Sequence, residues 1–345
     1  MKPLDVQEVP KKGKETKKIL FVAPPFQPFI KKDYEILKRR FRVKCVVYNY
    51  DDKKSLLLLV PRIIKGVLWA DLTYSWFGSF HAFFAVLFSK ILHKKSIVVA
   101  GGYDVAKVTE INYGLMNMRL WRLFPVFSFK YCHRILAVSE YTKREIKENM
   151  GIDDRKVLVV YHGFDKRKFF PREGKENIVI TVGQVNSQTL FRKGLMNFAK
   201  TAKFLPDTKF YLIGQGEKQF IHKLRRVNQH NLLYKGFVPH EELTSLMQRA
   251  KVYVQISAHE GFGCSLAEAM LCECIPVVTV CGAIPEVVGD TGYYVPYGDI
   301  EAIAETIRRA LKDGEAKGEK ARERIEEEFP IEKREKRLTE VVMWL

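Results

Sequence analysis

The sequence HEGFGCSLAEAM at residues 259–270 decides the architecture of this chain. An apolar run at 252–256 precedes it, and its Gly-x-Gly turn leads into a helix-like stretch. A strand, a glycine turn and a helix start in that order form an anion site, because unpaired N–H groups at the helix N-terminus face outward. Glu260 lies in the turn, and Glu268 follows eight positions later, in the predicted first turn of the helix. Since neither carboxylate suits a bound phosphate, we expect both to face sugar or ribose hydroxyls, which predicts a nucleotide-sugar pocket.

The rest of the chain repeats the order of strand and helix on both sides of this stretch. Helical periodicity marks 79–92, 141–150 and 193–205, and Ser139 is predicted to cap the second of these helices. The predicted strands are 18–23, 44–48, 72–75, 96–100, 134–139, 157–161, 178–182, 209–213, 232–235, 252–256 and 275–279. This alternation predicts an α/β fold of two doubly wound Rossmann-like domains that face a cleft.

The chain is expected to contain two domains, because 345 residues exceed what one hydrophobic core organises. Proline, glycine and charged residues at 170–174 have the character of a linker. We therefore predict domains at 1–172 and 173–328, followed by a helix at 329–345 that returns to the first domain. The lysine-rich N-terminus, 1–18, is expected to be a basic tail rather than a signal peptide.

The positive charge belongs to one half of the chain. Residues 1–172 carry 34 Lys and Arg against 16 Asp and Glu, whereas residues 173–345 carry 24 of each, so the first half holds the whole excess of +18. A domain this basic is expected to bind a phosphate-bearing acceptor, an anionic membrane surface or nucleic acid. Nucleic acid is the distant alternative, because the chain contains no recognition motif for it.

The six cysteines are spaced as small apolar residues rather than as metal ligands. None has the Cys-x2-Cys spacing, although four crowd into 264–281. This usage is typical of a reduced cytosolic protein. No apolar run reaches the roughly 18 to 20 residues of a membrane span. We expect a cytoplasmic protein without a bound metal, whose basic half can lie on the cytoplasmic face of a membrane.

Four short motifs carry a family resemblance. They are Glu-Gly-Phe-Gly at 260–263, Glu-Ala-Met at 268–270, Ile-Pro-Val-Val at 275–278 and Gly-Ala-Ile-Pro-Glu at 282–286. In this order they resemble the donor half of family 4 retaining glycosyltransferases, the group 1 type, which have the GT-B fold. The resemblance extends over 182–299 and continues more loosely into the first half.

The resemblance implies a retaining hexosyltransferase that moves a sugar from a UDP-, GDP- or ADP-sugar to an acceptor hydroxyl. It implies metal-independent transfer without a cofactor, because cationic and backbone groups stabilise the leaving diphosphate. The first domain would bind the acceptor and the second the donor. The basic first half favours a lipid-linked saccharide or glycolipid as acceptor. A soluble glucan or sucrose-type synthase of the same fold is the alternative.

The resemblance also implies a role for each part of the donor site. Glu260 would bind the transferred sugar near the reacting carbon, Glu268 the ribose hydroxyls and Lys193 the diphosphate. The backbone of the glycine turn and helix start would contact phosphate and sugar oxygens, and the backbone after the strand at 232–235 would line the base. These backbone residues are Gly261, Phe262, Gly263, Cys264 and Ser265 for the first group, and Phe237 and Val238 for the second.

One position departs from the family pattern. Members commonly carry an arginine directly after the glycine that ends the first donor-domain strand, and this chain has Gln184 there. We expect Arg192 to supply the second phosphate cation from the longer loop. The alternative is that fewer charges hold the diphosphate.

Two features of the first half have competing interpretations. The predicted strand at 96–100 leads into Gly-Gly-Tyr-Asp, and the resemblance implies that Asp104 contacts the sugar or acceptor. The alternative for Asp104 is an Asx-type turn. The basic and aromatic stretch 119–130 either lies on a membrane interface or forms a buried helix pair.

Overall fold

The computed structural model describes residues 17–49, 52–228, 230–313 and 316–345. The backbone forms two six-stranded sheets, and all neighbouring strands in them are parallel. The strands of the first sheet are β1 (Lys18–Ala23), β2 (Arg42–Val47), β3 (Leu72–Trp76), β4 (Lys95–Ala100), β5 (Arg134–Ala137) and β6 (Val157–Val159). The strands of the second sheet are β7 (Glu176–Val182), β8 (Lys209–Ile213), β9 (Leu232–Gly236), β10 (Ala250–Gln255), β11 (Ile275–Thr279) and β12 (Tyr293–Val295).

Helices connect the strands and cover the sheets, which confirms the predicted α/β class. Those of the first half are α1 (Pro28–Arg40), α2 (Lys53–Leu57), α3 (Leu59–Trp69), α4 (Phe80–Ile91), α5 (Leu123–Tyr131) and α6 (Glu140–Met150). Those that follow are α7 (Ser187–Arg192), α8 (Leu195–Thr201), α9 (Lys218–Val227), α10 (His240–Arg249), α11 (Cys264–Leu271), α12 (Ile284–Val288), α13 (Ile300–Lys312), α14 (Ala316–Glu328) and α15 (Ile331–Trp344).

The central strands of the sheets are buried on both faces, which is why they are apolar runs, whereas the edge strand β2 is largely exposed. Along β1, Ile19 and Phe21 belong to one buried cluster, whereas Leu20 and Val22 belong to another. Alternate side chains of a strand point to opposite faces, so a central parallel strand needs apolar residues at every position.

The order of the strands determines where a ligand can bind. The first sheet has the order β2-β1-β3-β4-β5-β6, and the second has the order β12-β11-β10-β7-β8-β9. The order reverses between β1 and β3 in the first sheet and between β7 and β10 in the second. Ligands of such sheets bind outside the carboxyl ends of the strands at this switch point. The ends of β7 and β10 therefore define the candidate site.

The predicted elements are confirmed apart from their ends and one helix. The helix predicted over 193–205 is instead the pair α7 and α8, which are separated by Gly194 with a left-handed φ of +65°. The chain enters α7 early because Asn186 and Thr189 form a reciprocal capping box there. This break places two basic residues at the end of α7 rather than at the start of a long helix.

The last helix, α15, lies against the first half, where it contacts α1. Arg334 of α15 forms a bidentate ion pair with Asp33 of α1, at 2.6 and 2.7 Å, and both residues are buried. The same carboxylate accepts hydrogen bonds from the Tyr74 hydroxyl at 2.8 Å and the Trp76 indole at 3.0 Å. This network joins α15 to β3 of the first sheet. The domain boundaries at 172 and 328 stay predictions.

All six cysteines are free. In the ranges that the structure describes, no three His, Cys, Asp or Glu side chains are grouped so that they could hold a metal ion. Among the same residues, no helix combines the length and apolar character needed to cross a membrane.

Candidate active site at the ends of β7 and β10

Glu260 lies just beyond the end of β10, at the switch point of the second sheet. Its side chain is 11% exposed, and its Oε1 accepts hydrogen bonds from Lys193 Nζ at 2.9 Å, Ser257 Oγ at 3.1 Å and an Arg192 N–H at 3.2 Å. Burial alone would raise the pKa of this carboxyl, but the two cations outweigh it and lower the pKa to about 2. Glu260 is therefore fully ionised at neutral pH, which suits it to stabilise positive charge rather than to donate a proton.

Arg192 and Lys193 reach Glu260 from the C-terminal end of α7. The Lys193 side chain passes over Gly183, where an added Cβ would stand 2.8 Å from the lysine Cδ. Arg192 also donates to the His259 carbonyl at 3.1 Å, and its guanidinium carbon lies 4.9 Å from the centre of the Tyr113 ring. The structure thus brings both predicted cations to one carboxylate.

Gln184, at the position that departs from the family pattern, contributes no charge to the site. The Gln184 side chain is exposed, and its carbonyl accepts the hydroxyl of Thr189 at the start of α7. Arg192, eight positions further along the chain, lies beside Glu260. This geometry favours Arg192 as the second cation of the site.

The glycine turn leads directly into α11, as predicted. Gly263 is the N-cap of this helix, and its φ of +102° is a left-handed conformation that favours glycine. The N–H groups of Cys264 and Ser265, at the start of α11, have no acceptor within the helix and can donate to an anionic ligand.

The side chains of Phe262 and Ser265 are engaged with the protein, so the backbone of these two residues is what they can offer to a ligand. The Phe262 ring packs against the rings of Phe164 and His162, with centroids 5.9 and 5.1 Å away. The Ser265 hydroxyl accepts a hydrogen bond from Tyr253 at 2.9 Å. These contacts hold the turn against the interior of the protein.

The prediction that Glu268 lies in the first turn of its helix is wrong. It lies in the second turn of α11, because the helix begins at Cys264. The helix dipole acts mainly on the first turn, so it does not account for a carboxylate at this position. Burial raises the pKa of Glu268 to about 7, while the ammonium of Lys32 opposes the rise. A carboxylate in this setting gains from hydroxyl donors such as those of a ribose.

Lys32 is a residue of the site that sequence analysis missed. It comes from α1 of the first half, where its ammonium donates to the Gly163 carbonyl at 2.6 Å and lies 4.7 Å from the centre of the Phe164 ring. Burial lowers the pKa of Lys32, and the nearby Cys264 and Glu268 counteract that shift. No sequence signal marks this lysine, because only the packing of α1 brings it to the start of α11.

Asp104 is fully buried and is held by the backbone around it. Its Oδ2 accepts the N–H of Gly78 at 2.7 Å, and its Oδ1 accepts the N–H groups of Gly101 and Gly102, both at 3.1 Å. Burial raises the pKa of Asp104 to about 6, and these hydrogen bonds oppose the rise. All three donors precede Asp104 in the chain, so the carboxylate does not form an Asx turn, which would accept the N–H two positions on. The geometry favours a role in ordering the loop after β4, and contact with a sugar or acceptor stays a prediction.

The predicted base-lining residues follow β9, which two strands, β7 and β8, separate from β10 and Glu260 in the second sheet. The Phe237 ring is exposed, whereas Val238 packs partly against the apolar core. Gly236, at the end of β9, has a left-handed φ of +69°. Their contact with a base stays a prediction.

The two halves of the chain meet at the glycine turn. A Cβ on Gly261 would lie 2.6 Å from the carbonyl oxygen of Gly101, so only glycine allows this approach. The Gly261 carbonyl accepts the Ser139 hydroxyl at 2.8 Å, and the Glu286 carboxylate accepts two N–H groups at the start of α6. Sequence analysis missed these contacts because each joins residues more than a hundred positions apart.

Two family models match adjacent parts of the chain. Residues 164–329 match a model described as glycosyl transferases group 1, and residues 77–168 match one described as glycosyltransferase family 4. Together they cover the glycine turn, both cations and the loop that carries Asp104.

Curated relatives match between 23% and 77% of the chain. N-acetyl-alpha-D-glucosaminyl L-malate synthase of Bacillus anthracis is 30% identical over 227 residues, which are 60% of this chain and 58% of that protein. N,N'-diacetylbacillosaminyl-diphospho-undecaprenol alpha-1,3-N-acetylgalactosaminyltransferase of Campylobacter jejuni is 28% identical over 202 residues, 54% of this chain and 53% of that protein. The matched segments thus span little more than half the length of these relatives.

Solved structures match nearly the whole chain. HepE of Anabaena, crystallised with UDP and glucose, superposes with a TM-score of 0.77 at 16% identity and covers 95% of this chain and 100% of its own. Sucrose-phosphate synthase of Thermosynechococcus elongatus gives a TM-score of 0.76 at 14% identity, over 95% and 98%. At these identities the likeness establishes the shared fold.

Proposed function

This chain belongs to the glycosyl transferase group 1 family and has the GT-B fold, and from that premise we propose that it moves a sugar from a nucleotide-diphosphate-sugar to an acceptor hydroxyl. The observation that carries the proposal is the ion cluster at the ends of β7 and β10, where Lys193 and Arg192 flank the ionised Glu260. Two cations beside one buried carboxylate suit a ligand that is anionic at one end and rich in hydroxyls at the other.

The donor would bind along the second half of the cleft. Its diphosphate forms ion pairs with Lys193 and Arg192, and the N–H groups at the start of α11 donate hydrogen bonds to its oxygens. Glu268 holds the ribose hydroxyls, and the backbone at Phe237 and Val238 lines the base. Because these groups offset the charge of the leaving diphosphate, the proposal includes neither an obligatory metal nor a cofactor.

The transfer is proposed to retain the configuration of the sugar. The bond from the anomeric carbon to the diphosphate breaks, and a bond to the acceptor oxygen forms on the same face. The leaving phosphate oxygen accepts the proton of the acceptor hydroxyl. The low pKa of Glu260 supports a role in stabilising positive charge at the sugar ring, because the group stays ionised throughout.

A panel of UDP-, GDP- and ADP-sugars tests the proposed function. A donor at about 100 times its Kd stabilises a protein by about 2.7 kcal/mol, so we expect at least one nucleotide sugar to raise the Tm clearly. That donor should then be transferred or slowly hydrolysed in the presence of EDTA. The anomeric configuration of the product, read by NMR, tests retention. The absence of both a thermal shift and turnover across the panel would contradict the proposal.

Replacing Arg192 with alanine is expected to raise the donor KM by about tenfold to a hundredfold, since a hydrogen bond to a charged group contributes about 1.5 to 3 kcal/mol. The measurement is initial rate against donor concentration. Gln188→Ala, at an exposed position of the same helix, is the matched control and should leave the donor KM unchanged. An unchanged KM for Arg192→Ala would remove this residue from the site and favour the alternative with fewer phosphate charges.

A lipid-linked saccharide or glycolipid is the proposed acceptor. The basic surface supports this, since residues 53–139 contain 12 Lys and Arg but only three acidic residues. The name of the Campylobacter relative specifies an undecaprenol-linked acceptor. The proposal places the protein in the cytoplasm, with its first half on the membrane face where such an acceptor lies.

An exposed apolar segment before α5 is the proposed membrane contact. Leu120 and Trp121 are 74% and 51% exposed, Leu123 is also exposed, and two arginines are interleaved with them. The alternative interpretation of this stretch was a helix pair, and a pair of helices does form. α4 and α5 pack together through Phe83 and Phe127, with ring centroids 4.6 Å apart. The exposed segment next to this helix pair therefore combines apolar and cationic side chains, which is typical of segments that bind a membrane interface.

Replacing Leu120, Trp121 and Leu123 together by serine is expected to lower binding to vesicles that contain anionic lipid, because it removes apolar area without changing charge. Sedimentation with the vesicles at moderate salt measures this. Phe204→Ser, at an exposed aromatic residue of the second half, is the control and should bind as the unmodified chain does. Equal loss in both variants, or a product that stays in water, would favour the soluble glucan or sucrose-type synthase.

A further inference from the structure

We propose that helix α6 of the first half positions Glu260, through hydrogen bonds to the two residues that flank it in the chain, His259 and Gly261. The inference rests on the proposed function, because it assigns a purpose to the placement of the Glu260 carboxylate. It goes further in making a helix outside the donor-binding half part of the donor site.

The Gly261 side of the contact consists of two hydroxyl groups on the first turn of α6. Ser139 Oγ donates to the Gly261 carbonyl at 2.8 Å, and Thr142 Oγ1 lies 3.3 Å from the same oxygen. Both hydroxyl residues are fully buried. Ser139 is also the N-cap of α6, since its Oγ accepts the N–H of Thr142 at 3.0 Å. Ser139 therefore both caps α6 and binds the residue that follows Glu260.

The His259 side of the contact lies one helical turn further along α6. Nε2 of the His259 ring is 2.9 Å from Oε1 of Glu145, and the ring is 1% exposed. The rings of Tyr113 and Tyr141 enclose it, with centroids 5.1 and 5.5 Å away. An enclosed ring with a hydrogen bond has no freedom to move, so the residue before Glu260 is held as firmly as the residue after it.

A third contact locks α6 to the second half. The carboxylate of Glu286, near the start of α12, accepts the N–H of Glu140 at 2.8 Å and that of Tyr141 at 2.6 Å. The Tyr161 hydroxyl donates to the same carboxylate at 3.2 Å. A carboxylate at a helix N-terminus also offsets the positive end of the helix dipole. This contact keeps α6 in register with both flanks of Glu260.

The consequence is that the site is complete only when the two halves are together. Separation of the halves would break the hydrogen bonds to His259 and Gly261 at once and release the backbone on both sides of Glu260. A displacement of about 1 Å in a catalytic group costs about a hundredfold in rate. The two cations and the N–H groups proposed to bind the diphosphate, by contrast, lie at the end of α7 and the start of α11, outside the two residues that α6 holds. Loss of α6 contacts should therefore lower kcat more than it raises the donor KM.

A purely structural account of the same contacts is that Ser139 only caps α6. Two substitutions at this position separate the accounts. Aspartate and asparagine are of equal size, and both are good N-caps, so a structural role predicts similar activity for the two variants. Only asparagine keeps a donor for the Gly261 carbonyl, whereas aspartate places a second acceptor against it.

We expect Ser139→Asn to retain most of the kcat of the unmodified chain and Ser139→Asp to lose about tenfold or more relative to it. The donor KM should stay within about twofold in both variants, because their donor-binding groups are intact. Hydrogen exchange of the amides at 259–263 is measured alongside and should be faster in Ser139→Asp. Equal kcat and equal exchange in the two variants would overturn the inference.

Glu145 supplies a second pair of variants in case the first pair folds poorly. Glu145→Gln keeps an acceptor for His259 and should stay close to the unmodified kcat, whereas Glu145→Leu should lower kcat with little change in KM. Glu148→Leu, at an exposed position of the same helix, is the matched control and should have no effect. Equal kcat in Glu145→Leu and Glu148→Leu would overturn this arm.

The failure of the inference can be told apart from the failure of the proposed function. If the unmodified chain turns over no nucleotide sugar while exchange at 259–263 still differs between the variants, α6 holds the turn but the proposed function is wrong. If turnover is present and neither pair of variants differs, the function stands and the positioning role is wrong.

Discussion

Replacing Glu260 with glutamine is expected to lower kcat for sugar transfer by about a hundredfold to a thousandfold, the effect of removing one preorganised electrostatic group from an active site. The carboxylate is buried, ionised and fixed by three donors, which include Lys193 and Arg192. Glutamine has nearly the same shape but no charge, so it cannot stabilise positive charge at the sugar ring. Steady-state kinetics with the donor identified from the panel measure the effect.

The donor KM should change far less than kcat in this variant, because the cations and the start of α11 remain. Glu301→Gln, an exposed carboxylate of the second half, is the matched control and should leave both constants unchanged. A kcat for Glu260→Gln within a few-fold of the unmodified value would place the chemistry elsewhere in the cleft.

The same carboxylate should also contribute to stability in a pH-dependent way. Its pKa is about 2 in the folded protein and 4.5 in its ordinary state, so the folded state favours the ionised form. This contribution is present above about pH 4.5 and is lost as the pH falls towards 2. The difference in unfolding free energy between the unmodified chain and Glu260→Gln should therefore shrink when urea unfolding is repeated at pH 7, 5 and 4. A difference that grows on acidification would contradict the assignment.

Replacing Arg334 with methionine is expected to lower the free energy of unfolding by about 3 to 5 kcal/mol, because it leaves a buried charge without its partner. Asp33 would keep only the hydroxyl of Tyr74 and the indole of Trp76 as donors. The change also removes donors to two main-chain carbonyls of the first half, those of Val160 and Tyr161. Urea unfolding followed by circular dichroism measures the loss.

The control for this prediction lies on the same helix. Arg337 is exposed and pairs with Glu340 at 3.3 Å, so Arg337→Met should change stability by less than about 1 kcal/mol. Combining Asp33→Asn with Arg334→Met should cost less than the sum of the single changes, because the two groups interact directly. Additive losses would mean that the pair does not act as a unit.

The elements, the glycine turn and the glutamate that follows β10 could be predicted because they depend on local patterns. Apolar runs marked the strands, since parallel strands are buried on both faces. The Gly-x-Gly turn marked the start of α11, since only glycine suits the left-handed φ at Gly263. Lys193 and Arg192 were expected to bind a diphosphate, which stays a prediction, and the structure places both beside Glu260. The error at Glu268 is one of position along the helix, because α11 begins at Cys264 and Glu268 is its fifth residue, in the second turn.

The role of Asp104 could not be predicted from the local sequence pattern. A glycine pair followed by an acid is consistent both with a cleft residue and with a buried turn. The direction of the carboxylate depends on the Gly78 backbone, which comes from a different strand end, and only the packed structure brings the two together.

The sequence by itself determined the two parallel sheets and the glycine turn with its two glutamates, whereas the strand order that locates the switch point came from the structure. The sheets and the turn follow from residue type and spacing along the chain. Only the tertiary structure decided that Lys32 approaches α11, that Arg334 meets Asp33 and that α6 holds both flanks of the HEGFG turn. The physical reason is that such contacts join residues far apart in the chain, and their partners are set by how helices pack on the sheets rather than by any local periodicity.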